Sequence, residues 1–68
     1  MNAKNRTKEY VKMIKKHLEA IEELLYLIQE DGELPTPDAE ADAIEIARAT
    51  KRAKTDAEML YKRLVASL

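Results

Sequence analysis

Five carboxylates are the side chains whose types and spacing could do chemistry, and they fall in two short stretches: Glu19, Glu22, Glu23, Asp38 and Asp42. Carboxylates three or four residues apart lie on the same side of a helix, and their oxygens are ligands that Mg²⁺ prefers. Other metal chemistry has less support. The chain has no cysteine, and its single histidine, His17, is not part of the Glu-x-x-His motif of di-iron helical bundles.

This acidic set, Glu19-x-x-Glu22-Glu23 followed by Asp38 and Asp42, is similar to that of the all-α nucleotide pyrophosphohydrolases of the MazG and dimeric dUTPase type, which hold magnesium. The resemblance implies a small acidic-site, magnesium-dependent nucleotide hydrolase. The second motif of that family, Glu-x-x-Asp, does not occur in this chain, and the family's subunits are longer. We therefore predict a non-enzymatic protein with no catalytic residue, metal site or cofactor, and keep the hydrolase as an alternative.

The elements that would position these side chains are two long helices. The composition is rich in Ala, Glu, Lys, Leu and Arg, and the only glycine and both prolines fall within residues 31–37. We predict an all-α protein, an antiparallel helical hairpin that forms a single domain. Its predicted parts, within residues 1–68, are a first helix over about 5–30, a turn over 31–36 and a second helix over about 37–67.

The turn carries signals that end one helix and begin the next. Gly32 suits the left-handed position that often closes a helix, and Pro35 cannot continue one. Thr36 is a typical N-cap residue, and Pro37 fits the first helical position, where its missing N–H does no harm. These signals predict a tight connection, so the two helices should lie side by side.

Apolar residues repeat at heptad spacing along both helices, which predicts a seam between them. The stripe on the first helix is Val11, Ile14, Leu18, Ile21, Leu25 and Ile28. The stripe on the second helix is Ala39, Ala43, Ile46, Thr50, Ala53, Ala57, Leu60 and Leu64. Bulky side chains would face small ones along most of this seam.

A second apolar stripe on the first helix predicts a second neighbour. It consists of Tyr10, Met13, His17, Ala20, Leu24 and Leu27, and the second helix has a partial stripe of Ile44, Ala47, Tyr61, Val65 and Leu68. In a lone hairpin, Leu24 and Leu27 together with Tyr26 would form part of an exposed patch larger than soluble monomers usually carry. We predict a homodimeric four-helix bundle with the stripe of the first helix as its interface; a monomer with an exposed apolar flank is the alternative.

Charge is segregated along the chain. Between Lys16 and Arg48 there are ten acids and no Lys or Arg, whereas the flanks hold all twelve basic residues and three acids. The hairpin would therefore carry about −10 at its turn end and about +9 at its terminal end. Two such rods pair plus with minus only when they lie antiparallel.

The acidic turn end is the predicted recognition surface: Glu30, Asp31, Glu33, Asp38, Glu40 and Asp42. A rigid surface dense in carboxylates can bind a basic protein or imitate the phosphate spacing of a nucleic acid. We expect a small protein-interaction module that acts as a regulator or inhibitor through its dimer, with a protein as partner.

Basic residues on both helices support a different function, nucleic-acid binding. The candidate contacts are Lys8, Lys12, Lys15, Lys16, Arg48, Lys51 and Arg52. The predicted architecture resembles the Rop family of plasmid RNA-binding hairpins, in which polar side chains along the first helix of both subunits contact RNA. The resemblance implies an RNA- or DNA-binding dimer as the second alternative.

The cellular location is predicted from what the sequence lacks. It has no cysteine and no apolar stretch long enough to span a bilayer, and its polar, basic N-terminus has no apolar run behind it. We expect a soluble cytoplasmic protein without a membrane partner.

Overall fold

The computed structural model describes residues 2–67, which fold into two helices that pack against each other: α1, Ala3–Asp31, and α2, Pro37–Ala66. No strand occurs among these residues, so the predicted all-α class and the two-helix hairpin are confirmed. The hairpin is a rod of 49 × 16 × 14 Å. Met1 and Leu68, the two ends of the predicted domain, lie outside the described residues.

α1 begins earlier than the predicted start at about residue 5, because Asn2 caps it. The Asn2 side chain accepts a hydrogen bond from the Asn5 backbone N–H at 2.8 Å, which pairs one of the donors that the first turn of a helix leaves unsatisfied. At the same end of the rod, the Lys4 ammonium donates to the Ser67 carbonyl at 3.1 Å. The start of α1 therefore lies beside the end of α2, and the helices run antiparallel.

Gly32 ends α1 without the left-handed conformation that the sequence predicts, so that prediction is wrong. Its φ of −80° and ψ of 158° are extended, and its N–H still donates to the Ile28 carbonyl at 3.0 Å. A Cβ at this position would lie 2.6 Å from the Ile28 carbonyl oxygen, which is backbone and has little freedom to move. Glycine is needed here because the chain leaves the helix in close contact with the preceding turn, which leaves no room for a side chain.

α2 begins as predicted. The Thr36 hydroxyl oxygen accepts a hydrogen bond from the Ala39 backbone N–H at 3.1 Å, and Pro37 occupies the first turn. Asp38 and Glu40 place negative charge at the positive end of the helix dipole. Because all these interactions span only a few residues, they define the start of α2 independently of how the helices pack.

The core of the hairpin is thin. Among the described residues only Val11, Thr50 and Ala57 are buried. The Thr50 hydroxyl donates to the Ile46 carbonyl at 2.7 Å, so this buried polar group finds its partner within its own helix. Small side chains at the contact bury little apolar area, and a chain of this length seldom obtains enough stability from one such core.

Candidate functional site

Each predicted seam separates into a covered part and an exposed part. On α1, Val11, Leu18 and Leu25 are buried or half-buried, whereas Ile14, Ile21 and Ile28 are 38–50% exposed. On α2, Ile46 and Leu60 are 45–51% exposed although the heptad pattern places them in the seam. The neighbouring helix therefore covers these five residues of the predicted seam only in part. One helix covers one row of its neighbour, and the row of Val11 occupies the contact.

Two ion pairs connect the helices on one side of the seam. The five exposed residues of the seam lie on the other side. They join Lys15 Nζ to Glu58 Oε1 at 3.1 Å and Lys54 Nζ to Glu22 Oε1 at 2.9 Å. Ile14 and Ile21 each precede an ion-paired residue by one position, a rotation of about 100° around the helix. We call the side with the ion pairs the ion-pair face, and the opposite side, formed by Ile14, Ile21, Ile28, Ile46 and Leu60, the apolar face.

The apolar face is continuous across both helices. The ion pairs set the axial register, which brings Ile14 level with Leu60 and Ile28 level with Ile46. The predicted dimer interface extends this face around α1, and all six of its members are exposed: Tyr10, Met13, His17, Ala20, Leu24 and Leu27. The apolar arc of α1 thus covers more than half of its circumference, and α2 contacts only one edge of it.

The partial second stripe predicted on α2 does not join this arc. Ile44, Ala47 and Tyr61 lie on the ion-pair face, as does Tyr26 of α1, which the sequence grouped with Leu24. Helix periodicity places Val65 on the same side, and Leu68 lies outside the described residues. The reason is geometric: antiparallel packing determines which sides of two helices share a face, and sequence spacing describes each helix only by itself.

A cleft of about 600 Å³ lies between the helices near the turn, on the ion-pair face. Its lining is mostly apolar and includes three charged residues; it consists of Leu25, Tyr26, Ile28, Gln29, Gly32, Leu34, Ala43, Ile44, Ala47, Glu22, Glu40 and Lys51. Ile28 of the apolar face is among them, so the cleft extends across the seam at this point. Tyr26 and Ile44 remain 60% and 53% exposed. This cleft was not predicted from the sequence, although Ile44, Ala47 and Lys51 are spaced by three and four residues and therefore share one side of α2.

The ion pairs change the protonation behaviour of their members. The hydrogen bond from Lys15, together with its positive charge, holds the pKa of Glu58 below its ordinary value. The hydrogen bond to Glu22 raises the pKa of Lys54 above its ordinary value. Both pairs remain partly exposed to solvent, so they contribute more to the register of the helices than to stability.

The six acids of the predicted recognition surface are all exposed, and they divide between the two faces: Glu30, Asp31, Glu33, Asp38, Glu40 and Asp42. At about 100° per residue, Glu30 and Glu40 lie toward the ion-pair face, whereas Asp31, Asp38 and Asp42 lie toward the apolar face. Glu33 belongs to the turn. The two groups of acids are therefore available to different neighbours.

The carboxylates that resemble a magnesium site are not assembled into one. Within residues 2–67, no three histidine or carboxylate side chains come together as a possible metal site. Glu22 instead accepts a hydrogen bond from Lys54, and Asp38 and Asp42 lie on the other side of the seam from it.

At least three of the seven predicted nucleic-acid contacts already hold carboxylates. Lys12 pairs with Glu9 at 3.3 Å, Lys15 with Glu58 at 3.1 Å and Arg48 with Glu45 at 3.1 Å. The hydrogen bond to Glu9 raises the pKa of Lys12, and its ammonium also lies 5.8 Å from the centre of the Tyr61 ring. The remaining predicted contacts are Lys8, Lys16, Lys51 and Arg52, of which Lys8 is half-buried and the others exposed.

Comparison with known proteins adds no relative: no family model, curated protein or solved structure matches the chain significantly. Within residues 2–67, neither helix is apolar over a length that would cross a membrane.

Proposed function

We propose that this chain is a protein-interaction module that dimerises through its apolar face into a four-helix bundle and presents its acidic turn ends to a basic protein partner. The observation that carries the proposal is the apolar face itself. Five aliphatic side chains at heptad spacing lie on one side of the hairpin, and the neighbouring helix leaves each of them 38–51% exposed. A second copy of the same face supplies the missing neighbour.

The exposed area of the hairpin has the size that such a dimer requires. The chain exposes 5655 Å², whereas a compact monomeric protein of 7.8 kDa exposes about 4,400 Å². A compact protein of twice this mass exposes about 7,300 Å², against twice 5655 Å² for two separate hairpins. Dimerisation would bury about 4,000 Å² in total, which lies within the range of obligate homodimers.

The charge distribution favours the antiparallel arrangement of the two copies. The acids and bases lie at opposite ends of a rod 49 Å long, several screening lengths at physiological salt. On the apolar-face side, Asp38 and Asp42 lie at the turn end, and Arg6 and Arg63 lie at the terminal end. Antiparallel copies bring these opposite charges together twice, whereas parallel copies bring like charges together.

Function then follows from what the dimer leaves exposed. Each turn end carries acids on its ion-pair face, which points away from the second copy. A dimer of this kind offers two acidic surfaces at opposite ends of one rod, suited to occupy a basic surface of a partner and so regulate or inhibit it.

Charge reversal with a matched control tests the arrangement. We expect Asp38→Lys with Asp42→Lys to raise the Kd of the dimer roughly tenfold at low salt, because two unfavourable pairings arise per dimer. Glu30→Lys with Glu40→Lys makes the same charge change at the same end but on the ion-pair face, and should leave the Kd almost unchanged. Sedimentation equilibrium measures both.

Adding Arg6→Glu and Arg63→Glu to the Asp38/Asp42 variant should restore the dimer, because opposite charges then meet again. Equal effects of the two reversed pairs, or no rescue, would contradict the antiparallel dimer. A wild-type chain that stays monomeric at micromolar concentration would remove the dimer altogether.

A further inference from the structure

We infer that the turn-end cleft on the ion-pair face docks an amphipathic helical segment of the partner protein, one that carries aliphatic side chains beside lysine or arginine. The inference deepens the proposed function, on which it rests for the choice of a protein partner. It specifies both the site and the chemistry that the partner must present.

The apolar part of the cleft requires an aliphatic ligand group. Tyr26 and Ile44 stand on either side of it, on α1 and α2, and remain more than half exposed, while Leu25 and Leu34 are half-buried. The volume of about 600 Å³ lies within the range of ligand pockets and accommodates several aliphatic side chains. The second copy in the proposed dimer would leave most of this cleft open, because Ile28 is the one lining residue that belongs to the apolar face.

The surroundings of the cleft require a cationic ligand group. On α1, Glu19, Glu23 and Glu30 lie within about 40° of one another around the helix axis, adjacent to Tyr26. A second, shallower depression is lined by Tyr26, Leu27, Glu19, Glu22, Glu23 and Lys54. Lys54 pairs with Glu22, so Glu19 and Glu23 are the carboxylates that remain beside the ring, which forms the border between the cleft and the acidic strip. A lysine or arginine there gains both carboxylate pairing and contact with the face of the ring.

An amphipathic helix meets both requirements at once. Aliphatic groups spaced by three and four residues along one helix would enter the cleft, and basic groups one position away would reach the acidic strip. Nucleic acid carries the wrong charge for this surface, since its phosphates would face the carboxylates of α1. The cleft itself is lined by two acids and one base, namely Glu22, Glu40 and Lys51.

The test uses the full-length chain and a labelled amphipathic helical peptide of leucine and lysine, about four turns long. Fluorescence anisotropy should show binding by the wild-type chain, weakened at least about tenfold by Ile44→Ser and by Tyr26→Ser. Met59→Ser is the matched control, because Met59 is 49% exposed on the side of α2 away from α1. That variant should bind as the wild type does. Far-UV circular dichroism verifies that all three variants remain helical.

Two control peptides separate the contributions of the ligand. Replacing each leucine of the peptide by serine should abolish binding, and replacing each lysine by glutamate should weaken it at least about tenfold at low salt. Glu23→Lys with Glu30→Lys in the protein should weaken the leucine-lysine peptide in the same way and should improve binding of the leucine-glutamate peptide.

The peptide-binding results test the cleft separately from the sedimentation results, which test the dimer. No binding of the leucine-lysine peptide to a chain that sediments as a dimer overturns the cleft and leaves the dimer in place. Binding that Ile44→Ser does not change, or a labelled RNA that binds in a manner sensitive to Ile44→Ser, also overturns it. Peptide binding with the expected variant effects in a chain that sediments as a monomer supports the cleft and refutes the dimer.

Discussion

Leu24→Ala is the substitution that most directly measures the proposed dimer. Leu24 is 61% exposed in the hairpin and lies in the predicted interface. The change removes three carbon groups, each contributing about 0.8 kcal/mol when fully buried, so covering the exposed share contributes about 1.5 kcal/mol per copy. Both copies carry the change, which gives about 3 kcal/mol per dimer, or about 150-fold in Kd.

The matched control for this prediction is Ile44→Ala. Ile44 is 53% exposed, a similar fraction, but it lies on the ion-pair face. Both substitutions replace an exposed aliphatic residue by the best helix former, so neither should weaken the single hairpin. Sedimentation equilibrium over a range of concentrations should show a large increase in Kd for Leu24→Ala and almost none for Ile44→Ala. Equal Kd values for the two variants would refute the reasoning.

Three further predictions concern the hairpin itself. Gly32→Ala should lower the free energy of unfolding by about 1–3 kcal/mol in denaturant titrations, because the added Cβ clashes with the Ile28 carbonyl. This clash outweighs the gain of about 0.4–1 kcal/mol from a stiffer unfolded chain. A stabilised variant would contradict the close approach. Thr36→Ala should cost about 1 kcal/mol in the same titrations through the lost cap, whereas Thr36→Ser should cost little. The ion pair with Lys15 lowers the pKa of Glu58, so the pair should stabilise the hairpin above the ordinary pKa of a glutamate. This stability should be lost as the pH falls through the lowered pKa, and thermal melts of a Lys15→Met variant should show less of this acid destabilisation. An identical acid profile for the variant would be evidence against the pair.

The sequence predicted the local structure of the turn well where the interactions join residues that are close in the chain. The Thr36 cap, Pro37 in the first turn and the acids that follow all act within a few residues, so the residue types alone carry the information. At Gly32 the residue type was not sufficient to predict the backbone conformation. The sequence predicted that glycine belongs there but not why, because two backbone routes leave a helix at glycine and the identity of the residue does not distinguish them.

The candidate surfaces were predicted less completely. The stripe of Leu24 was found from its spacing, and its exposure in the hairpin fits the role proposed for it. The cleft beside Tyr26 and Ile44 was not found, since it is formed by residues of two helices whose relative rotation no spacing within either helix determines. Sequence spacing grouped Tyr26 with Leu24, two positions away, whereas on a helix that offset is about 200° and puts them on opposite sides.

The sequence by itself determined two helices, one turn, a broad apolar arc on the first helix and acid concentrated near the turn. Only the tertiary structure decided which edge of that arc the second helix covers. Every row of the arc is apolar enough to be buried, so periodicity leaves the choice open. The choice is made by contacts distant in sequence, namely the small Thr50 and Ala57 packed in the seam and the pairs of Lys15 with Glu58 and Glu22 with Lys54. These contacts turn the row of Ile14 outward and so create the face on which the proposed dimer depends.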